Sequence, residues 1–158
     1  MKWALFVFLF PIFVLAAAGF RSDQKKIFKE AAKEKMPIMI DFFGVWCPPC
    51  NELDETVFET PAFLEKAKKF KLLKVDADKQ ESWKIKSRYE VGGYPTILFT
   101  DPKGKEIYRF AGYRPLKEVL RIMDLVLASK AKSFESACKS EDVDDLWRCA
   151  VILAEKKN

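Results

Sequence analysis

The chain has 158 residues, 49% apolar, 14% aromatic and 32% charged, which suits one domain with a sizeable core and a short appendage. Six Gly and eight Pro beside that aromatic content exclude a low-complexity or disordered chain. The net charge of +5 comes from scattered residues of both signs and gives no nucleic-acid footprint. The chain has no histidine, which excludes Ser-His-Asp and Cys-His catalysis, HExxH zinc chemistry and His-ligated copper or iron.

The first element is an address. Met1-Lys2 precedes an apolar run from Trp3 to Leu15, and Ala16-Ala17-Ala18 closes it. A positive end, an apolar stretch and an Ala-x-Ala site form the pattern of a secretory signal peptide, with cleavage expected after Ala18. The alternative is an uncleaved anchor over Trp3 to Phe20, in which case the chain faces the periplasm from the membrane. Either way the expected location is periplasmic, where disulfides persist. The domain expectation is a signal peptide over 1–18, a globular domain over 19–129 and a C-terminal helical extension over 130–158.

Ser22 or Asp23 caps a predicted helix carrying Ile27, Phe28, Ala31 and Ala32, which Met36-Pro37 stops. Ile38–Phe43 is an apolar run with one acid, Asp41, and suits a strand buried on both faces. Gly44–Cys50 is a turn into a helix that runs through Leu53 and Val57, and Thr60-Pro61 restarts it. Lys71–Val75 is a short strand ending at Asp76-Ala77-Asp78. Glu81–Tyr89 is a short helix with Trp83 and Ile85 as expected core residues. Thr96–Thr100 and Glu106–Phe110 pair as a hairpin across Asp101-Pro-Lys-Gly104. Pro115 opens a long helix with Leu116, Val119, Leu120, Met123, Val126 and Leu127 on one side. The order α-β-α-β-α-β-β-α predicts an α/β fold, a mixed central sheet of about four strands covered by helices. Lys130–Lys139 is expected to continue the last helix, and Ser140 to cap another through Ala154.

The chemistry lies in Trp46-Cys47-Pro48-Pro49-Cys50, between a strand and a helix. A CxxC pair alone also serves zinc sites, so this context decides the reading. At a helix N-terminus the dipole and unpaired N–H groups stabilise a thiolate, so Cys47 is expected as the attacking sulfur, partly exposed. Cys50, one turn later, is placed to attack a mixed disulfide on Cys47. Asp41, in an apolar strand six residues before Cys47, is expected to be held near neutrality and to take the proton from Cys50. Its alternative is a solvent-facing acid on an edge strand. Pro95, at a strand entry, is a candidate cis site. Trp46 and Tyr94 are expected as surface groups around the sulfur. Phe99, Tyr108 and Phe110 are expected core, and Gly92 and Gly93 either admit a substrate backbone or shape the loop. Cys138 and Cys149 are read as a structural bridge, worth on the order of 3 kcal/mol in the chain-entropy model, with a second redox pair or two free thiols as the alternatives.

Together these residues resemble the thioredoxin superfamily. The matches are Asp41–Cys50, the Lys74-Val75-Asp76 strand end, Val91–Thr96 and Gly112. Glu55–Pro61 resembles the branch that includes the C-terminal domain of the reductant transporter DsbD. The resemblance implies a thioredoxin fold and a thiol–disulfide oxidoreductase with Cys47 attacking, Cys50 resolving and Asp41 as the buried acid. It implies that the backbone at Tyr94, beside Pro95, pairs with the substrate chain. Thioredoxins often place a lysine near the buried acid. This sequence aligns Leu72 there, so Asp41 is expected to lack a cationic neighbour. The expected partners are protein disulfides and an upstream thiol donor, with no nucleic acid, and a membrane only if the N-terminal segment is retained. No cofactor and no metal are expected. The alternatives are a disulfide oxidase or isomerase, or a metal- or partner-binding module on the same fold.

Overall fold

The computed structural model describes residues 19–128 together with 138–139 and 149–150. The signal sequence expected over 1–18, the continuation of the last helix over 130–137 and the helix expected from Ser140 lie outside the described residues.

Asp23 caps α1 (Gln24–Glu34), its side chain accepting from the Lys26 N–H at 3.0 Å. Ile27 and Ala31, four apart, form the buried stripe, whereas Phe28 is half-buried and Ala32 is exposed. Lys35 ends the helix in the left-handed region. The apolar run that follows is β1 (Ile38–Phe43). Pro48 and Pro49 occupy the first turn of α2 (Pro48–Leu53), which widens into a π-helical turn at Asp54–Phe58. Thr60 caps α3 (Pro61–Ala67) through the Phe63 N–H, as the Thr-Pro pair predicts. Then come β2 (Lys71–Asp76), a 3₁₀ turn at Gln80–Ser82 and α4 (Trp83–Arg88). The hairpin of β3 (Thr96–Thr100) and β4 (Glu106–Ala111) and the final α5 (Leu116–Ala128) complete the domain.

The sheet has the order β2-β1-β3-β4. The central β1 pairs parallel with β2 and antiparallel with β3, and β4 lies antiparallel to β3. The Phe20–Arg21 segment lies along β2, with backbone hydrogen bonds from Arg21 to Leu72 and from Lys74 to Arg21.

Two apolar layers flank the sheet, because alternate residues of each strand face opposite sides. Ile38, Ile40, Phe42, Leu73 and Val75 pack with Ile27 and Ala31 of α1 and with Ile85 and Tyr89. Met39, Leu72, Ile97 and Phe99 pack with Leu53, Val57, Phe58, Phe63 and the α5 residues Val119, Ile122, Met123 and Val126. Asp41 falls in phase with Met39 and therefore lies on the α2–α5 side.

Trp83 is not core: it is 63% exposed, while Ile85 is buried. Residues two apart on a helix point about 200° from each other, so α4 can bury only one of them. It buries Ile85, with Tyr89 one turn on.

Candidate functional site

The strand-turn-helix unit β1–Gly44–α2 holds the cysteine pair. The turn is closed by the Cys47 N–H donating to the Gly44 carbonyl at 3.1 Å. Gly44 leaves room for the Trp46 indole, since a Cβ there would lie 2.9 Å from the ring. The indole Nε1–H donates to Asp78 Oδ2 at 2.7 Å, which fixes the ring beside the turn after β2. Trp46 is 61% exposed and meets the half-buried Tyr94 edge-on, with centroids 6.0 Å apart. Asp78 gives no sign of this role in the sequence, because it lies 32 residues away.

Cys47 stands at the N-cap of α2 and is joined to Cys50 by a disulfide. Its carbonyl accepts from Cys50 N–H at 3.0 Å and Asn51 N–H at 3.2 Å. Both cysteines are 3% exposed, so the partly exposed Cys47 sulfur expected from the sequence is absent from this disulfide state. The disulfide joins Cys47 to the equally buried Cys50. The exposed groups beside it are Val45 and Trp46.

Asp41 is 2% exposed on the central strand, which excludes the edge-strand reading. Leu72 is not the residue that decides its charge environment. The β1–β2 register sets Asp41 opposite Lys74, and Lys74 Nζ lies 3.6 Å from Asp41 Oδ2. Asp41 therefore has a cationic neighbour, two residues beyond the aligned position. The same ammonium donates to both oxygens of Asp54, at 2.5 and 2.6 Å, and lies 4.7 Å from the Phe43 ring centroid. Asp41 Oδ1 has no hydrogen-bond partner among the described residues.

Burial dominates the balance and pushes the Asp41 carboxyl from 3.8 to about 7. Lys74 pulls it down and Asp54 pushes it back up. A carboxyl of this kind can hold or accept a proton near neutral pH. Sequence reasoning missed Lys74 and Asp54. The signal for Lys74 was the Lys-Val-Asp strand end; Asp54 had none, because a charged residue just past the cysteine helix reads as a solvated face.

The Tyr94–Pro95 peptide is cis, and Pro95 is buried. Pro95 accepts from the Gly112 N–H at 2.9 Å, and Thr96 Oγ1 donates to Gly93 at 2.8 Å. Space around Gly92 and Gly93 is open. Cys138 and Cys149 are also joined by a disulfide, with Cys149 buried.

Comparison with known proteins places this geometry in a wider group. The thioredoxin-like domain family matches residues 24–127. The thiol:disulfide interchange protein DsbD of Pectobacterium atrosepticum is 36% identical over 78 residues, covering 48% of this chain and 14% of that protein. The protein disulfide-isomerase erp38 of Neurospora crassa is 32% identical over 106 residues, covering 66% of this chain and 28% of that protein. The chain thus spans under a third of the length of either relative. A thioredoxin from Thermus thermophilus superposes with a TM-score of 0.65 at 25% identity, covering 77% of this chain and 93% of that one.

Proposed function

This chain belongs to the thioredoxin-like family of thiol–disulfide oxidoreductases, and from that premise we propose that it reduces protein disulfides, or carries reductant to them, outside the cytoplasm. The observation that carries this reading is the Cys47–Cys50 pair at the start of α2, on the same side of the sheet as a buried carboxyl poised near 7.

The reaction runs in two exchanges. The Cys47 thiolate attacks one sulfur of the substrate disulfide, forming a mixed disulfide and releasing the first substrate thiolate, which takes a proton from solvent. Cys50 then gives its proton to the Asp41 carboxylate, directly or through water, and its sulfur attacks Cys47. The second substrate thiolate leaves, and Cys47–Cys50 is left oxidised. Two electrons pass to the substrate, and an upstream thiol donor returns them. The basic form of Asp41 becomes the major one above about pH 7, so the second exchange quickens through that range.

The two prolines support this direction of flow. Pro48 and Pro49 fill the first two positions of α2 and carry no N–H. The Cys50 N–H points back to the Cys47 carbonyl. A Cys47 thiolate therefore receives few backbone hydrogen bonds. Strong oxidants of this chemistry owe their character to a stabilised reduced form, so weak stabilisation favours reduction of the substrate.

The location rests on the charged, apolar and small-residue pattern of residues 1–18, read as an export signal, and on a second disulfide at Cys138–Cys149. Among the described residues no helix is long and apolar enough to cross a membrane.

Cysteine substitution tests the mechanism. Cys47→Ser is expected to abolish reduction of insulin, while Cys50→Ser accumulates a mixed disulfide that acid quenching and mass spectrometry detect. Wild-type activity in both variants contradicts the proposal.

A further inference from the structure

The large apolar side chains exposed among the described residues are Val45, Trp46, Leu64 and Trp83. Val45 and Trp46 adjoin the cysteine pair. Trp83 lies on another element, at the first position of α4, and is 63% exposed. An indole left in water on a short helix contributes little to the core. With Lys86, Ser87, Glu90 and Val91 it lines an open recess of about 590 Å³.

Lys86 links that recess to the aromatic pair at the redox site. The Lys86 ammonium is tied to the Ala77 carbonyl at 2.9 Å and lies 5.4 Å from the Tyr94 ring centroid. Tyr94 in turn meets Trp46, the residue before Cys47. Between Val91 and Tyr94 run Gly92 and Gly93, exposed and with open space around them. Gly92 and Gly93 thus present no side chain of their own to a polypeptide bonded to Cys47. The recess beside them offers an indole, a valine and the stem of a lysine whose charge is already engaged.

We propose that the Trp83–Val91 recess docks a bulky aromatic or aliphatic side chain of the protein whose disulfide exchanges at Cys47, and so sets a preference for protein over small-molecule disulfides. This rests on the exchange reading above, which requires a polypeptide to lie across this rim. Tryptophan is the side chain that most often dominates such contacts, because it buries a large rigid surface at low entropic cost.

The test compares second-order rate constants of the pre-reduced protein with insulin and with the small disulfide DTNB. Trp83→Ala is expected to slow the insulin reaction about five- to tenfold and leave the DTNB reaction within about twofold, as loss of a contact made only by the larger substrate. Trp83→Phe restores most of the insulin rate. Leu64→Ala, exposed in a separate recess beside Phe20 and Asp54, changes neither. The proposal is overturned if Trp83→Ala leaves insulin within about twofold, or slows both substrates alike. It is also overturned if the substitution only converts a dimer to a monomer, which assigns the recess to a second copy of the chain. A wild-type protein that reacts with neither disulfide refutes the exchange reading itself.

Discussion

Asp41, Lys74 and Asp54 form a charge triad with one cation between two carboxylates, and only Asp41 is fully withdrawn from water. The native state holds the Asp41 proton up to about pH 7, whereas an unfolded chain releases it near 3.8. Between those values the folded protein binds more protons than the unfolded one, so stability falls as pH rises through the window. Asp41→Asn, which removes the ionisation at nearly constant shape, is expected to raise stability at pH 8 by up to the order of 4 kcal/mol relative to wild type, and by little at pH 3.5. Urea unfolding midpoints at the two pH values check this, and an equal change at both contradicts it. Asp41 was legible because an acid inside Ile-Met-Ile-Asp-Phe-Phe has no polar surroundings of its own. Its partner was not. The offset between parallel strands depends on how much chain the intervening crossover consumes, and α2, its π-turn and α3 together set that offset. The alignment therefore pointed to Leu72, whereas the ladder delivers Lys74.

Elements bounded by side-chain chemistry were the readable ones. Asp23 and Thr60 cap helices by accepting backbone N–H groups, and Asp101-Pro-Lys-Gly104 closes the hairpin. In that turn Asp101 Oδ1 accepts from the Lys103 and Lys105 N–H groups, both at 2.8 Å. Gly104 has φ of +80°, and a Cβ there would stand 2.7 Å from the Phe28 ring. Gly104→Ala therefore meets both a backbone and a packing penalty and is expected to cost about 2–3 kcal/mol, read as a lower urea midpoint with insulin reduction intact below the transition. A change under about 0.5 kcal/mol contradicts the strained-turn account. The π-turn at Asp54–Phe58 and the outward face of Trp83 were not readable. An extra residue in one helical turn leaves the composition unchanged, and a short helix entered from a 3₁₀ turn gives too few positions to fix its phase.

At the scale of the molecule, the alternation of strands and helices predicted the mixed four-strand sheet, and the structure adds the order β2-β1-β3-β4. That order makes β1 central, and a central strand is what lets one chain segment bury a carboxyl at Asp41 and, six residues on, deliver Cys47 to the start of a helix. Tyr94, before the cis Pro95, meets Trp46, the residue before Cys47. The proposed function thus depends on a disulfide that is buried when oxidised yet must open to a visiting protein. The direct measurement is the reduction potential of Cys47–Cys50 by equilibration with dithiothreitol and glutathione, with mass spectrometry separating that pair from Cys138–Cys149. The account predicts full exchange at Cys47–Cys50 with a potential near that of thioredoxin, about −270 mV. A potential near −120 mV, or a Cys47–Cys50 bond that does not exchange in the folded protein, contradicts it.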